Sequence, residues 1–508
     1  MKNLKIFTPF IIGLSIIFGC SDLKEQPFSF FSPDQFYKTS SDAEAALAAV
    51  YGPLNGLYGR EGWQVPDYSA DQMFPRAVVS RDLLTTFNYD ATLAFLGPYW
   101  SNCYSGISNA NALLAKINSV SMDATRKKQI EAEAKFMRAL YYFHLAKNFG
   151  DVPVRKEPVL GVGDVEIAKS SVKEVYKFII EDLLFAEANL PVTNTGGAVI
   201  RAQKSAAIAL KQRVLLHMGQ WANAVAAGNA LIPTTVNPAT PTSARSLVGN
   251  HALTATPNGS FGFTGGNSIT SENIFSVKND PLDNGSVNGA PAAMYGSTDL
   301  LGRGLVCVSP IIWNNTGWLA EDLRRTTLYR NGGTAIGRAM MTTKYTDYSG
   351  RGDNTPIIRW AEVLLNQAEA EARVATGISQ RAIDLLNMVR NRSLPSTANQ
   401  YTASSFASRT ALIRAILLER RIEFLAEGRR WPDIHRTAQD PITELRSGGI
   451  PAKVANGGVT GTTLAQYGIG LAVTTSQPAI PYSDFRFIWP IPAIEVTTNP
   501  VIVQNPGY

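Results

Sequence analysis

Cysteine and histidine are scarce in this sequence. The 508 residues hold three Cys (Cys20, Cys103, Cys307) and four His (His144, His217, His251, His435). The histidines lie far apart, and no two cysteines form a C-x-x-C pair. A metal site built from local ligand spacing is therefore not expected. The chain also lacks G-x-S-x-G, H-E-x-x-H and G-x-x-x-x-G-K-[ST], which leaves nucleophile-elbow, zincin and P-loop chemistry without a foothold. Gly161-Val-Gly163 stops short of a dinucleotide fingerprint, and a turn explains Arg351-Gly352-Asp353. Carboxylates are plentiful, but no spacing singles out a glycosidase pair. No catalytic residue and no cofactor is assigned, and the expectation is a protein that is not an enzyme. Charge of one sign is lacking too: the formal charge is +6, with 17% charged residues and no basic run. Nucleic acid is not favoured as a partner. Apolar content of 45% fits a globular body.

Long apolar runs are absent after residue 18. The single run, 6–18, follows Lys2 and Lys5. It is shorter than the roughly 20 residues of a membrane-spanning helix and suits a signal-peptide core. It ends Ile17-Phe18-Gly19-Cys20, which resembles a bacterial lipobox with a bulkier Phe18 than usual. Residues 1–19 are expected to be a lipoprotein signal peptide, Cys20 the lipidated residue, and 20–40 a tether. Stable anchoring takes more than one acyl chain, which a triacylated Cys supplies. Export permits a disulfide, but Cys103 sits inside a helical pattern, so Cys103 and Cys307 are expected as two buried thiols.

What remains is helix and loop. Helical period marks 41–57, 100–117, 131–149, 172–190, 205–219, 221–230, 356–375, 380–392 and 408–428. Ser41 or Asp42 suits the first N-cap, and Gly150 before Asp151-Val152-Pro153 is a clean stop. The pairs 205–230 and 361–392 share one grammar: Ala at close-approach positions, Leu alternating with aromatics, and a short turn. That is the pattern of tetratricopeptide-like stacks. Between the helices, 58–98, 231–350 and 438–486 are loop-rich, with Ile274–Val277 as a short strand. The fold class expected for 41–508 is an all-α-dominated single domain: a helix-pair scaffold (41–57, 100–230, 356–437) and a loop-rich half with a few short strands. Loops this long are uncommon unless functional. They carry aromatics among Asp, Asn and Arg, including Tyr58, Trp63, Tyr345 and Tyr348. Sugar rings stack on such aromatics, and their hydroxyls bond to such polar groups.

The stretch 419–437 (ERRIEFLAEGRRWPDIHRT) is the densest in charge. Glu419, Glu423 and Glu427 at i, i+4 and i+8 share a helix face and repel unless Arg side chains intervene. Arg420 and Arg430 stand three residues from a Glu. The stretch reads as a helix-locking Arg/Glu network, with Gly428 allowing close approach and Trp431 packing beside it.

It also resembles the Glu-Arg-Arg…Glu-Gly-x-Arg-Trp…Asp signature of the SusD/RagB family of outer-membrane nutrient-binding lipoproteins. Residues 357–373 (IIRWAEVLLNQAEAEAR), 133–153 (EAKFMRALYYFHLAKNFGDVP) and the tail 499–508 (NPVIVQNPGY) resemble further family motifs, in the family's order. The resemblance implies four tetratricopeptide-like helix pairs, and a SusC-like TonB-dependent transporter over which the protein sits as a lid. It implies an outer-membrane, outward-facing location and capture of oligosaccharide, or in some members peptide. A role as a structural protein without a ligand is the remaining alternative. The signature helices are scaffold in that family. By position in the loops, Asp71, Arg76, Arg81, Asn88, Tyr89, Tyr295, Trp313 and Trp318 are the candidate ligand-binding residues.

Overall fold

Side-chain caps set where the helices begin. In α1 (Ser40–Tyr51), Thr39 accepts from the Asp42 backbone and Asp42 from the Thr39 backbone, a reciprocal capping box. The cap is thus Thr39, not Ser41 or Asp42, and Asp42 closes the box. Two short helices follow, α2 (Gly62–Ser69) and α3 (Val79–Thr86), then the long α4 (Leu96–Lys116) and α5 (Ala124–Phe149). Asp123 caps α5, which ends at Gly150 with φ 73°. The scaffold continues with α6 (Val172–Asn189), α7 (Lys204–His217), α8 (Trp221–Asn229), α9 (Trp360–Val374), α10 (Gln380–Ser393), α11 (Arg409–Glu423) and α12 (Arg430–Thr437). This computed structural model describes residues 36–75, 79–194, 198–261, 270–279, 291–332, 339–454 and 464–508. The expected signal peptide, Cys20, most of the tether and Arg76 lie outside them.

From α4 to α10 each helix packs against the next in chain order, so α9 joins the stack at α8 although about 130 residues separate them in sequence. Gly228 sits at that joint: a Cβ there would come within 1.8 Å of the Gln367 amide oxygen on α9, and that side chain would have to shift. Ala43 near the start and Ile502 near the end belong to one continuous apolar core. Cys103 and Cys307 are both buried, and neither is in a disulfide.

The loop-rich regions contain more structure than their composition suggests. Among the described residues there are four two-stranded antiparallel sheets. They pair β1 (Met73–Pro75) with β3 (Val306–Val308), β2 (Asn273–Val277) with β6 (Thr355–Arg359), β4 (Tyr329–Asn331) with β5 (Met340–Thr342), and β7 (Gly449–Ile450) with β8 (Ile480–Pro481). Residues 58–98 therefore hold α2, β1 and α3 rather than one long loop. Pro66 inside α2 is the reason the sequence reads otherwise, since proline ordinarily breaks a helix interior. Residues 356–359, expected as helix, are strand: Ile357 and Ile358 are β-branched, and Pro356, Ile358 and Arg359 pair with β2.

Buried charge fastens the strands to the helices. Glu423 Oε1 receives Arg359 at 3.0 Å and Arg392 at 2.6 Å, and its Oε2 receives Arg324 at 2.9 Å. Glu427 binds Lys344 at 2.6 Å and Arg359 at 2.8 Å. Glu272, just before β2, binds Arg359 and Arg392. Asp322 and Glu419 bind Arg324, and Glu419 also faces Arg390. Five carboxylates thus meet five cations, each side chain at most 5% exposed. Burial alone would push the Glu423 carboxyl up, but Arg392, Arg359 and Arg324 hold it well below its usual range.

The network differs in detail from the expected one. α11 ends at Glu423, so Glu427 lies past the helix, yet it converges with Glu423 on Arg359. Arg420 pairs with Asp433 at 3.1 Å and Arg430 with Asp71 at 2.6 Å, not with their helical Glu neighbours. Gly428 adopts a left-handed φ of 66°, which favours glycine there. Trp431 is fully buried and stacks on Trp489 with ring centroids 5.9 Å apart.

Removing one member of such a lattice leaves its partners buried and uncompensated, at about 3–5 kcal/mol. Glu423→Ala is expected to lower the unfolding free energy by about that amount in urea denaturation, while ligand affinity per folded molecule stays unchanged. Equal stability with lost binding would move Glu423 from scaffold to site.

Candidate ligand-binding surface

The three loop-rich regions meet at the end of α2. Asp67 accepts from the Tyr295 hydroxyl at 2.7 Å and from the Gly428 backbone N–H at 3.1 Å. Asp71 binds Arg430, and Arg421 at 3.1 Å. Lys453 Nζ donates to the carbonyls of Tyr68 and Ser69, at 2.9 and 3.0 Å. One short segment, 67–71, thereby holds the middle excursion, the signature stretch and the last loop region together. Burial raises the Asp71 carboxyl, but Arg430 and Arg421 reverse this and leave it below its ordinary value. At Asp67 burial wins over the bonds from Tyr295 and Gly428, and the carboxyl is pushed up to about 7.

Outward from this junction β1 pairs with β3, and Tyr467 donates to the Val308 carbonyl at the end of β3, at 2.8 Å. Beside it, residues 313–319 are held by one side chain. Arg325 donates to the carbonyls of Trp313 (2.8 Å), Trp318 (2.6 Å) and Leu319 (3.0 Å). Its guanidinium also lies over both indoles, 4.8 Å from the Trp313 ring and 4.3 Å from that of Trp318. Asn314 bonds to the carbonyls of Gln466 and Leu471 and accepts from the Gly468 N–H. The rings of Trp313 and Tyr467 stand 6.3 Å apart, both half-buried. Thr316, Ile469 and Leu471 are exposed around them. The result is a surface with two half-buried aromatic rings on a braced loop.

The eight candidate residues separate into groups. Trp313 lies on this surface. Trp318 was expected beside it as a stacking platform, but it is fully buried between Trp313 and Tyr329 and offers no open face. Tyr295 and Asp71, expected to meet ligand, are interior members of the junction. A buried Tyr spends its hydroxyl on a partner, and a carboxylate beside two guanidiniums satisfies its own charge; composition does not reveal either. Asn88 is exposed, and Tyr89 stacks on Tyr508 at the C-terminal tail, 6.4 Å between centroids, with no ring neighbour in common with Trp313. Arg81 lies on α3, its side chain outside the described residues, and Arg76 is outside them altogether. Sequence reasoning missed Tyr467 and Arg325. Tyr467-Gly468-Ile469-Gly470, an aromatic among loop glycines, was the available signal for the first.

A wide concavity of about 1030 Å³ lies elsewhere, between α6, α7 and α8. It is lined by Leu184, Leu215, Met218 and Lys and Glu side chains, with no aromatic ring.

A stacked-helix scaffold presenting an aromatic surface on interlocked loops is the architecture of a binding protein. Two family models match: the SusD family over residues 314–508, and "Starch-binding associating with outer membrane" over 31–216. The chain belongs to the SusD/RagB family. SusD-like protein P38 of Formosa agariphila is 26% identical across 100% of this chain and 99% of its own length. SusD-like protein P2 of the same organism is 25% identical over 86% of this chain and 91% of its own. Among solved structures, a SusD superfamily protein of Bacteroides fragilis superposes with a TM-score of 0.71 at 23% identity, covering 92% of this chain and 99% of that one. A laminarin-binding SusD-like protein superposes with a TM-score of 0.70 at 24% identity, over 93% and 100%. No helix among the described residues is long and apolar enough to cross a membrane.

Asp67 loses its proton near pH 4 when unfolded and near 7 when folded. The folded state therefore holds the proton more tightly, and stability falls as pH rises from about 4 to about 7. Asp67→Asn is expected to flatten that decline and to be neutral or stabilising at pH 8. Urea midpoints measured from pH 4 to 8 check this; an unaltered pH dependence would remove Asp67 from the account.

Proposed function

We propose that the protein captures oligosaccharide on the Trp313–Tyr467 surface and passes it to a SusC-like TonB-dependent transporter in the outer membrane. The observation that carries this reading is the locked, partly open Trp313. Arg325 fixes its backbone and one face, so stacking a sugar costs little further ordering. The amide NH2 of the neighbouring Asn315 suits a sugar hydroxyl, whereas the Asn314 amide is spent on internal partners. The starch-binding family model and the laminarin-binding structural neighbour support a glycan as the ligand class. The lipobox-like sequence at Cys20 supports a lipid-anchored protein facing the cell exterior. Binding without turnover fits the lack of any catalytic constellation in the sequence.

Trp313→Ala is expected to weaken oligosaccharide binding at least tenfold by isothermal titration calorimetry, about 1.4 kcal/mol, with the melting temperature little changed. Trp318→Ala, in contrast, should act through stability. Hydrolysis products in a glycan screen would overturn the binding-only reading. A peptide co-purifying with the transporter complex would replace sugar by peptide as the cargo.

A further inference from the structure

Nine arginines are buried among the described residues. Eight of them, Arg359 and Arg392 included, stand at ion-pair distance from a carboxylate. That is the ordinary condition of a buried guanidinium, because an unpaired charge is costly to take out of water. Arg325 is the exception. It is 7% exposed, and no carboxylate among the described residues pairs with it. Asp322, whose charge does act on it, is already bound to Arg324. Burial therefore outweighs attraction at Arg325 and pushes it down to about 10.

This unpaired cation lies beneath the candidate surface. Its Nε and Nη2 are spent on the carbonyls of residues 313, 318 and 319. Nη1 has no hydrogen-bond partner among the described residues and is not sealed from solvent. The surface itself offers donors and no anion. The Asn315 oxygen accepts from the Gly317 N–H, which leaves the amide NH2 as a donor, and Thr316 is exposed beside it. Neither 313–319 nor 464–471 contains an Asp or Glu. A neutral sugar brings hydroxyl donors that call for acceptors, and carboxylates are the strongest acceptors a protein has to give them. A ligand that brings its own oxyanion fits the opposite arrangement.

We propose that the Trp313–Tyr467 surface selects acidic oligosaccharides, whose carboxylate or sulfate ester is drawn by the unpaired Arg325 and bonded by its Nη1. This rests on the reading of that surface as the glycan site. Arg325 Cζ is 4.8 Å from the centre of the Trp313 ring, so a sugar in contact with the ring lies within the ~8–10 Å over which charge acts before salt screens it. The aromatic ring then supplies contact with the sugar body, and the guanidinium distinguishes a charged sugar from a neutral one.

The test is calorimetric titration of the protein with paired oligosaccharides. Oligogalacturonate is set against its methyl ester, and a κ-carrageenan oligosaccharide against its desulfated form, with malto- and laminari-oligosaccharides as neutral members. One acidic probe is expected to bind, and its neutralised counterpart at least tenfold more weakly; which pair responds tells carboxylate from sulfate. Sodium chloride should weaken the acidic ligand and leave the neutralised one unchanged. Thr316→Asp, a change at an exposed position, should weaken the acidic ligand selectively. A neutral oligosaccharide that binds as tightly as any acidic one, and is lost in Trp313→Ala, overturns this inference while leaving the glycan site in place. Binding of no oligosaccharide, or binding untouched by Trp313→Ala, overturns the site and the inference together.

Discussion

Glu423 receives guanidiniums from three parts of the chain: Arg324 from the middle excursion, Arg359 from the end of β6, and Arg392 from α10. The rest of the molecule depends on this convergence. The loop-rich regions join the main apolar core through side chains such as Phe275, Val306, Trp318 and Tyr329, but burial is non-directional and their sheets are two strands wide. Paired charge supplies direction. An ion pair in a dry interior tolerates little displacement, because each partner's desolvation is offset only at contact distance. The lattice therefore fixes where β2, β5 and β6 sit relative to α10 and α11, even if its net stabilisation is modest. Asp67 and Asp71 extend the arrangement, bonding to the Gly428 backbone and to Arg430 and Arg421 within the same signature stretch.

This explains why the stretch 419–437 marks the family while carrying none of the candidate binding surface. Its side chains are consumed by internal partners. The aromatic surface lies a layer further out, on residues tied inward through β1 and β3, through Gly317 against Leu418, and through Tyr329.

The scaffold was legible in the sequence because its helices repeat apolar residues at helical spacing and end at recognisable signals such as Gly150. Charge dense enough to imply a lattice was legible at Glu419, Glu423 and Glu427. Its partners were not, since Glu272, Arg324, Lys344 and Arg359 are scattered over loops and strands, and pairing across such separations leaves no local pattern. The same holds for the surface. Trp313 and Trp318 look alike as aromatics in a polar loop, yet one is partly open and the other fully buried. Even their ring neighbours are shared, since Arg325 and Tyr329 pack against both. Tyr467 reaches Trp313 across more than 150 residues of chain, which no window of sequence contains.

Arg325 grips residues 313–319 by their carbonyl oxygens. Every residue type carries that oxygen, so the grip is indifferent to which side chains the loop displays. A substitution at the exposed Thr316 would change what the surface displays without removing any of these bonds. A fastening of this kind separates the inheritance of shape from the inheritance of specificity. One backbone course can then be retained while its lining drifts toward a new nutrient.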